Sequence, residues 1–170
     1  QVRQAFIAAE DIRFYRHHGI DPIRMVGAAA ANLRSRSLSQ GASTITQQLV
    51  KNTHLSSKKS FSRKFEEIIL ALKVEREYTK NQILEMYLNN VYFGNGAYGI
   101  ETAANKYFGK SASDLSLVES AALAATLKAP SNYAPHIQPE NNQKRRNQIL
   151  ATMEEQGYIS MHNAYEAQHE

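Results

Sequence analysis

The spacing of apolar residues predicts α-helices along nearly the whole chain. Between positions 60 and 78, five apolar side chains recur at helical spacing and form one stripe: Phe61, Phe65, Ile68, Ile69 and Leu72. No segment shows the sustained alternation of apolar and polar residues that predicts a half-buried strand. We therefore expect an all-α protein of roughly eight or nine helices, in a single domain that spans the whole chain.

Capping residues indicate where these helices begin and end. Asp21 followed by Pro22 is typical of a helix start, with the acid as N-cap and proline at the first helical position. Ser43 is expected to cap a second helix that ends near His54. Further boundaries come from two capping boxes, two C-terminal glycines and one Gly-, Asn- and Tyr-rich loop: Thr79-x-x-Gln82, Ser116-x-x-Glu119, Gly109, Gly157 and 90–99.

Composition and charge narrow the function classes. The chain has 170 residues and no cysteine, which excludes disulfides, thiol catalysis and cysteine-ligated metal sites. Its net charge of +4 is unevenly distributed, because no acidic residue occurs from Pro22 through Phe65. That segment carries eight cations: Arg24, Arg34, Arg36, Lys51, Lys58, Lys59, Arg63 and Lys64. The segregation of charge points to an anionic partner.

The chain contains no apolar run of the ~18 residues that a membrane-spanning helix needs. It begins with Gln1, and a strong motif starts within its first ten residues. We therefore interpret the sequence as a domain of a longer protein, with any membrane anchor outside this chain.

The first candidate for chemistry is the pair Glu10-Asp11. Adjacent side chains on a helix point about 100° apart, so these carboxylates are not expected to share a proton. One of them can face a cleft, although a solvated surface pair is the commoner case; Phe14, His17 and Gly19 follow closely and favour a site. The six histidines lack metal-ligand spacing, so we predict no structural metal.

A second candidate is the polar face formed by Thr44, Gln47, Gln48 and Lys51, which recur at positions i, i+3, i+4 and i+7. The helix N-terminus beside Ser43 also offers backbone N–H groups to an anion. This face is open to two interpretations: a solvated surface with a capping serine, or a substrate-binding surface. Thr and Gln are weak choices for an exposed helix surface, which keeps the second interpretation open.

A third candidate combines Arg63 and Glu67, which lie four residues apart on one helix face. The pair is either an ordinary i,i+4 ion pair or a carboxylate held beside phosphate-binding cations.

Five ordered motifs between residues 5 and 157 resemble those of the peptidoglycan glycosyltransferases, glycosyltransferase family 51. This family comprises monofunctional enzymes and the glycosyltransferase domains of class A penicillin-binding proteins. The matching segments are Glu10-Asp11-x-x-Phe14-x-x-His17-x-Gly19, Gly41-x-Ser43-Thr44-Ile45-Thr46-Gln47-Gln48-x-x-Lys51-Asn52, Arg63-Lys64-x-x-Glu67, Ile83-Leu84-Glu85-x-Tyr87-Leu88-Asn89 with Tyr92-Phe93-Gly94, and 121–133 with Lys128-Ala129-Pro130-Ser131-Asn132-Tyr133.

The resemblance implies a lysozyme-like, all-α fold with a larger head and a smaller, membrane-facing jaw at about residues 24–59. It implies an enzyme that polymerises lipid II into β-1,4-linked glycan strands with inversion and releases undecaprenyl diphosphate. Such an enzyme acts on lipid II and the growing glycan chain at the outer face of the bacterial cytoplasmic membrane, in cell-wall synthesis complexes. Any transpeptidase domain is expected beyond Glu170.

The resemblance also implies residue roles, and the charge balance agrees with them. A diphosphate leaves as an anion, so the donor needs cations rather than an acid, and the acceptor hydroxyl needs one base. Glu10 is the expected base and Glu67 the second essential carboxylate. The expected substrate-binding residues are Asp11, Phe14, His17, Ser43, Thr44, Gln47, Gln48, Lys51, Asn52, Lys59, Arg63 and Lys128. No cofactor is obligatory, although Mg²⁺ or Mn²⁺ stimulates some members and Asp11 is placed to assist.

Two other functions compete with this one. A lysozyme-like muramidase or lytic transglycosylase shares the fold and a single Glu, but it has no need of the Thr-Gln-Gln-Lys face. A module that binds nucleic acid or anionic lipid without catalysis would use the basic segment, but its cations alternate with Ser, Thr and Gln rather than aromatics, so no nucleic acid is expected. Arg145-Arg146-Asn147 resembles a terminal family segment and is equally explained as a charged surface helix, so Arg145→Ala is expected to leave turnover intact.

Overall fold

The computed structural model describes residues 1–35, 41–54 and 61–170, and these residues are mainly helical. The ten α-helices within them are α1 Val2–Glu10, α2 Pro22–Ser35, α3 Ile45–His54, α4 Phe61–Glu77, α5 Lys80–Asn90, α6 Ile100–Phe108, α7 Leu117–Thr126, α8 Pro130–Tyr133, α9 Pro139–Glu155 and α10 Met161–His169. Short 3₁₀ turns occupy Phe14–Arg16 and Ala112–Asp114. The only strand-like pairing in the described part is an isolated bridge between Tyr92 and Tyr98. The predicted all-α fold is confirmed, and the extra helix is the single turn α8, which is too short to show periodicity.

Most predicted helix boundaries are confirmed. The Asp21 carboxylate accepts a hydrogen bond from the Arg24 backbone N–H at 3.1 Å, at the start of α2. The Ser116 capping box is complete at the start of α7. At the start of α5, the Thr79 hydroxyl accepts from the Gln82 backbone N–H at 3.3 Å, and the Gln82 side chain accepts from the Thr79 backbone N–H at 2.9 Å. Gly109 adopts φ 67° and Gly157 φ 71° after α6 and α9, as expected for C-terminal glycines.

The prediction that Ser43 caps the second helix is wrong, because Thr44 does so. The Thr44 hydroxyl accepts from the Gln47 backbone N–H at 3.1 Å, and the Gln47 side chain accepts from the Thr44 backbone N–H at 2.9 Å. A capping box needs Glu or Gln three residues after the cap, and only Thr44 meets that condition, since Thr46 is the residue three after Ser43.

The apolar stripe on α4 lies largely on the solvent side of that helix. Phe61 is 98% and Phe65 65% exposed, whereas the buried residues of α4 are Glu67 and Ala71. The periodicity therefore predicts the helix correctly, but it does not identify the buried face. A stripe of this kind ordinarily faces the core.

Contacts divide the chain into two compact units. The first comprises residues 1–12 and 88–170. Within it, α7 packs against α1, α6, α8, α9 and α10. Four of its buried residues are alanines, Ala121, Ala122, Ala124 and Ala125. Small side chains let the flanking helix backbones approach closely, which brings α1 and α9 into contact as well.

The second unit comprises residues 13–87, and its main helix pair is α3 with α4. Gly19 adopts φ +101°, and a Cβ built there lies 2.9 Å from the Ala71 carbonyl oxygen, so the position requires glycine. The Gly19 carbonyl accepts from the Thr44 hydroxyl at 2.6 Å. Residues 24–59, the predicted jaw, fall inside this unit, and the assignment of a jaw stays a prediction. Within the described ranges, no helix has both the length and the apolar character required to cross a membrane.

Candidate active site

Glu10 is the last residue of α1, and the packing of α1 on α9 places its carboxylate beside Arg145. Arg145 Nη2 is 3.8 Å from Glu10 Oε1, and the side chains are 18% and 16% exposed respectively. The Arg145 guanidinium lies 5.8 Å from the centre of the Tyr133 ring, and Lys128 Nζ lies 5.7 Å from the same centre. The first unit therefore places two cations near one aromatic ring, and one of them, Arg145, also lies beside the part-exposed carboxylate of Glu10.

The interpretation of the Arg145-Arg146-Asn147 segment as a charged surface helix is wrong. Arg146 is buried, and Arg145 is mostly buried against Glu10 and Tyr133. Burial lowers the pKa of Arg146, and the Glu170 carboxylate partly opposes that change. Nothing local in the sequence distinguishes a buried arginine on an amphipathic helix from an exposed one, because the partner of Arg145 is remote along the chain.

Asp11 follows Glu10 at the C-terminus of α1, and its backbone N–H donates to the Ile7 carbonyl at 2.9 Å. Its side chain is fully buried, whereas that of Glu10 is partly exposed. The two carboxylates therefore occupy different environments, as the helical geometry predicts.

Glu67 is the second predicted carboxylate, and α4 carries it on its buried face. Only 1% of the residue is exposed. Lys64 Nζ lies 2.5 Å from Glu67 Oε1, and the same ammonium group donates to the Ser43 hydroxyl at 3.1 Å. Lys64 thus connects the segment before α3 to the carboxylate of α4.

Lys64 belongs to the third motif, but the sequence assigned it no role. The sequence offered an ion pair between Arg63 and Glu67 at i,i+4 as one of two alternatives, and the structure shows Lys64 paired with Glu67 at i,i+3. Both spacings place side chains in reach on a helix, so spacing alone does not rank the two cations.

Thr44 and Gln47 are buried, and their side chains form the capping box of α3. The Thr44 hydroxyl also reaches the Gly19 carbonyl, which joins the first two motifs within the second unit. The polar face of α3 is therefore partly structural: these two side chains hold backbone groups. A direct substrate contact for either one stays a prediction.

Phe14 and His17 are also buried in the second unit. The ring of His17 accepts from the Gly19 backbone N–H at 3.2 Å, and it lies edge-on to Phe14 with 6.1 Å between centres. Lys80 Nζ lies 4.5 Å from the centre of the Phe14 ring and 2.8 Å from a carboxylate oxygen of Glu75. These contacts stabilise the first motif, and neither Lys80 nor Glu75 was singled out by the sequence.

The remaining predicted residues take varied positions. Lys51 and Asn52 are exposed on α3, Gln48 accepts from the Tyr87 hydroxyl at 3.3 Å, and Arg63 is half-buried on α4. Lys59 lies outside the described residues.

The carboxylates that the structure describes do not form a metal site. No group of three or more His, Asp or Glu side chains in those ranges is placed to hold a metal ion. Glu10 faces Arg145 and Glu67 faces Lys64, so each carboxylate has a cationic side chain beside it where a metal ion would need further oxygen ligands. The surroundings of Glu10 and Glu67 therefore do not fit a resident divalent cation.

The described residues are mainly helical, with a part-exposed carboxylate, Glu10, in the first unit and a buried carboxylate paired with lysine, Glu67, in the second. The family model described as Transglycosylase matches residues 1–154, and the chain belongs to this family. The predicted resemblance to the peptidoglycan glycosyltransferases of glycosyltransferase family 51 is thereby confirmed.

Several relatives support this placement. The chain is 51% identical over 168 residues to Penicillin-binding protein 1F of Bacillus subtilis (strain 168), covering 99% of this chain and 24% of the relative. It is 49% identical over 166 residues to Penicillin-binding protein 1A of Aquifex aeolicus (strain VF5), covering 98% and 23% respectively. The crystal structure of Penicillin-Binding Protein 1A from Haemophilus influenzae matches with a TM-score of 0.51 and 30% identity, over 73% of this chain and 15% of that one. The chain thus spans about a quarter of the length of the curated relatives it matches.

Proposed function

We propose that the domain polymerises lipid II into β-1,4-linked glycan strands, with inversion at the sugar carbon and release of undecaprenyl diphosphate. Glu10 takes the proton from the 4-hydroxyl of the acceptor sugar as that oxygen attacks the donor. The diphosphate leaves as an anion and is stabilised by cations, for which Lys51, Lys59 and Arg63 are the candidates. No proton donor to the leaving group is required.

The observation that carries this proposal is the contrast between the two carboxylates. Glu67 is buried with an ammonium group at 2.5 Å, so its charge is already neutralised by a fixed partner and it is suited to organising cations. Glu10 is partly exposed, and its arginine lies at 3.8 Å, beyond hydrogen-bonding distance. A carboxylate that is reachable from solvent and not hydrogen-bonded to that cation is suited to accept a proton from a substrate hydroxyl.

The second unit also carries features that suit a lipid-linked substrate. Among the described side chains of α2, only Ala28 is buried, and the exposed apolar ones include Val26 (71%) and Leu33 (83%). Exposed apolar groups beside Arg24 and Arg34 match a surface that contacts both lipid chains and anionic headgroups. We propose, as the family resemblance implies, that the domain works at the outer face of the bacterial cytoplasmic membrane, within cell-wall synthesis complexes.

Incubation of the purified protein with fluorescent lipid II tests the proposal directly. Ladders of glycan polymer on a gel are expected from the wild type, and they should be absent or reduced by at least about 100-fold for Glu10→Gln, because the amide cannot accept the proton. Glu155→Gln is the matched control, since Glu155 is exposed at the end of α9, and it should polymerise as the wild type does.

A second arm of this experiment separates polymerisation from hydrolysis. Moenomycin, a glycolipid phosphate that inhibits this family, should compete with lipid II, whereas preformed glycan should not be cleaved. A wild-type protein that makes no polymer, or a Glu10→Gln variant as active as the wild type, contradicts the proposed function.

A further inference from the structure

Arg145 contacts the carboxylate that the proposed function assigns as the general base. The two groups come from opposite parts of the chain and meet because α1 packs on α9. Both side chains are more than four-fifths buried. A charge pair in this environment is screened less by solvent than a surface pair. The guanidinium therefore stabilises the charged carboxylate more than it would at the surface.

The position of Arg145 is set by Tyr133 as well as by Glu10. Its guanidinium lies 5.8 Å from the centre of the Tyr133 ring. The Tyr133 carbonyl in turn accepts from the side chain of Asn142, which belongs to the same helix as Arg145, at 2.6 Å. Within the described residues, the buried Nε of Arg145 has no hydrogen-bond partner. Ring and carboxylate therefore orient the guanidinium.

The distance between Arg145 and Glu10 determines how the guanidinium affects the carboxylate. At 3.8 Å the guanidinium favours the ionised form of Glu10. The same distance is too long for a hydrogen bond, so the cation does not occupy a lone pair of Oε1. A bidentate arginine would instead hold both carboxylate oxygens and compete with a substrate hydroxyl.

We propose that Arg145 is a positioning residue for Glu10, which keeps the carboxylate ionised and correctly oriented to accept the proton of the acceptor hydroxyl. This inference rests on the proposed function, and it replaces the expectation that Arg145 is dispensable for turnover.

The test compares Arg145→Met, Arg145→Lys and the control Lys144→Met in lipid II polymerisation across pH. Lys144 is an exposed cation that precedes Arg145 on the same helix. We expect Arg145→Met to lower kcat by about tenfold with KM changed by less than about twofold. The acid limb of its pH–activity profile should also shift to higher pH by about one unit, because Glu10 then lacks the charge of Arg145 and takes up a proton more readily. Arg145→Lys should recover most of the acid-side profile, and Lys144→Met should match the wild type.

The results separate this inference from the proposed function. If Glu10→Gln is inactive while Arg145→Met keeps the wild-type kcat and acid-side profile, the role of Arg145 is overturned and the proposed function stands. An equal acid-side shift in Arg145→Lys and Arg145→Met also overturns it, because charge then makes no difference. If the wild-type protein makes no polymer, both the proposed function and the role of Arg145 are overturned. If circular dichroism shows that Arg145→Met is unfolded, Arg145→Gln is used in its place. Its side chain is polar but uncharged, so the same shift of the acid-side pH profile is expected.

Discussion

Replacement of Gly19 by alanine tests how the first two motifs are joined. Gly19 adopts φ +101°, where an alanine costs about 1–2 kcal/mol of backbone strain. The new Cβ would also lie 2.9 Å from the Ala71 carbonyl oxygen, a contact with backbone that cannot rotate away, and such overpacking costs about 1–3 kcal/mol. We expect Gly19→Ala to lower the free energy of unfolding by about 2–5 kcal/mol, from the sum of these two terms.

The assay is thermal unfolding followed by calorimetry. For a chain of this size each kcal/mol lowers Tm by about 2–4 °C, so the expected fall is about 4–20 °C. Gly109→Ala is the matched control, because Gly109 also has positive φ (+67°) but no atom lies within 4 Å of the added Cβ. Gly109→Ala should cost only the backbone strain of about 1–2 kcal/mol.

The comparison of the two variants tests whether the close approach of Gly19 to α4 contributes to stability. If Gly19→Ala and Gly109→Ala lower Tm equally, the close approach of Gly19 to α4 contributes nothing and the packing argument is wrong. A larger effect at Gly19 should also weaken polymerisation, since the Gly19 carbonyl holds the Thr44 hydroxyl at 2.6 Å.

Two further outcomes concern stability. Asn142 is buried, and its side chain donates to the carbonyls of Tyr133 (2.6 Å) and Ala122 (3.0 Å). Because Asn142→Leu leaves these carbonyls without that donor, it should lower the free energy of unfolding by about 1–3 kcal/mol in urea. The control Asn141→Leu, at the exposed neighbouring position, should cost much less. Burial would raise the pKa of Asp21, but the Arg24 backbone N–H and the Arg13 guanidinium outweigh it and lower that pKa below its ordinary value. The Asp21 carboxylate therefore stabilises the fold above the unfolded pKa of about 3.9, and this stabilisation is lost as pH falls through the lower, folded pKa. The Tm difference between wild type and Asp21→Asn should shrink below about pH 4, and a difference that stays constant down to acid unfolding contradicts this account.

The motifs identified in the sequence contain both structural and chemical residues, and only the structure separates them. Thr44, Gln47 and His17 are polar residues of the first two motifs, yet each is buried and bonds to nearby backbone. Lys64 had no assigned role in its motif, yet its ammonium group bridges Ser43 and Glu67. A motif records which residues are required together, but it does not say whether a side chain contacts substrate or supports the loop that does.

The sequence by itself determined the helices and most of their ends, because capping boxes, proline starts and terminal glycines depend on contacts within a few residues. It also determined the family, through ordered motifs, and the segregation of charge. Only the tertiary structure decided which face of α4 is buried and that Arg145 stands beside Glu10. Those features depend on which helices pack together, and residues remote along the chain meet only when the core excludes water from between them.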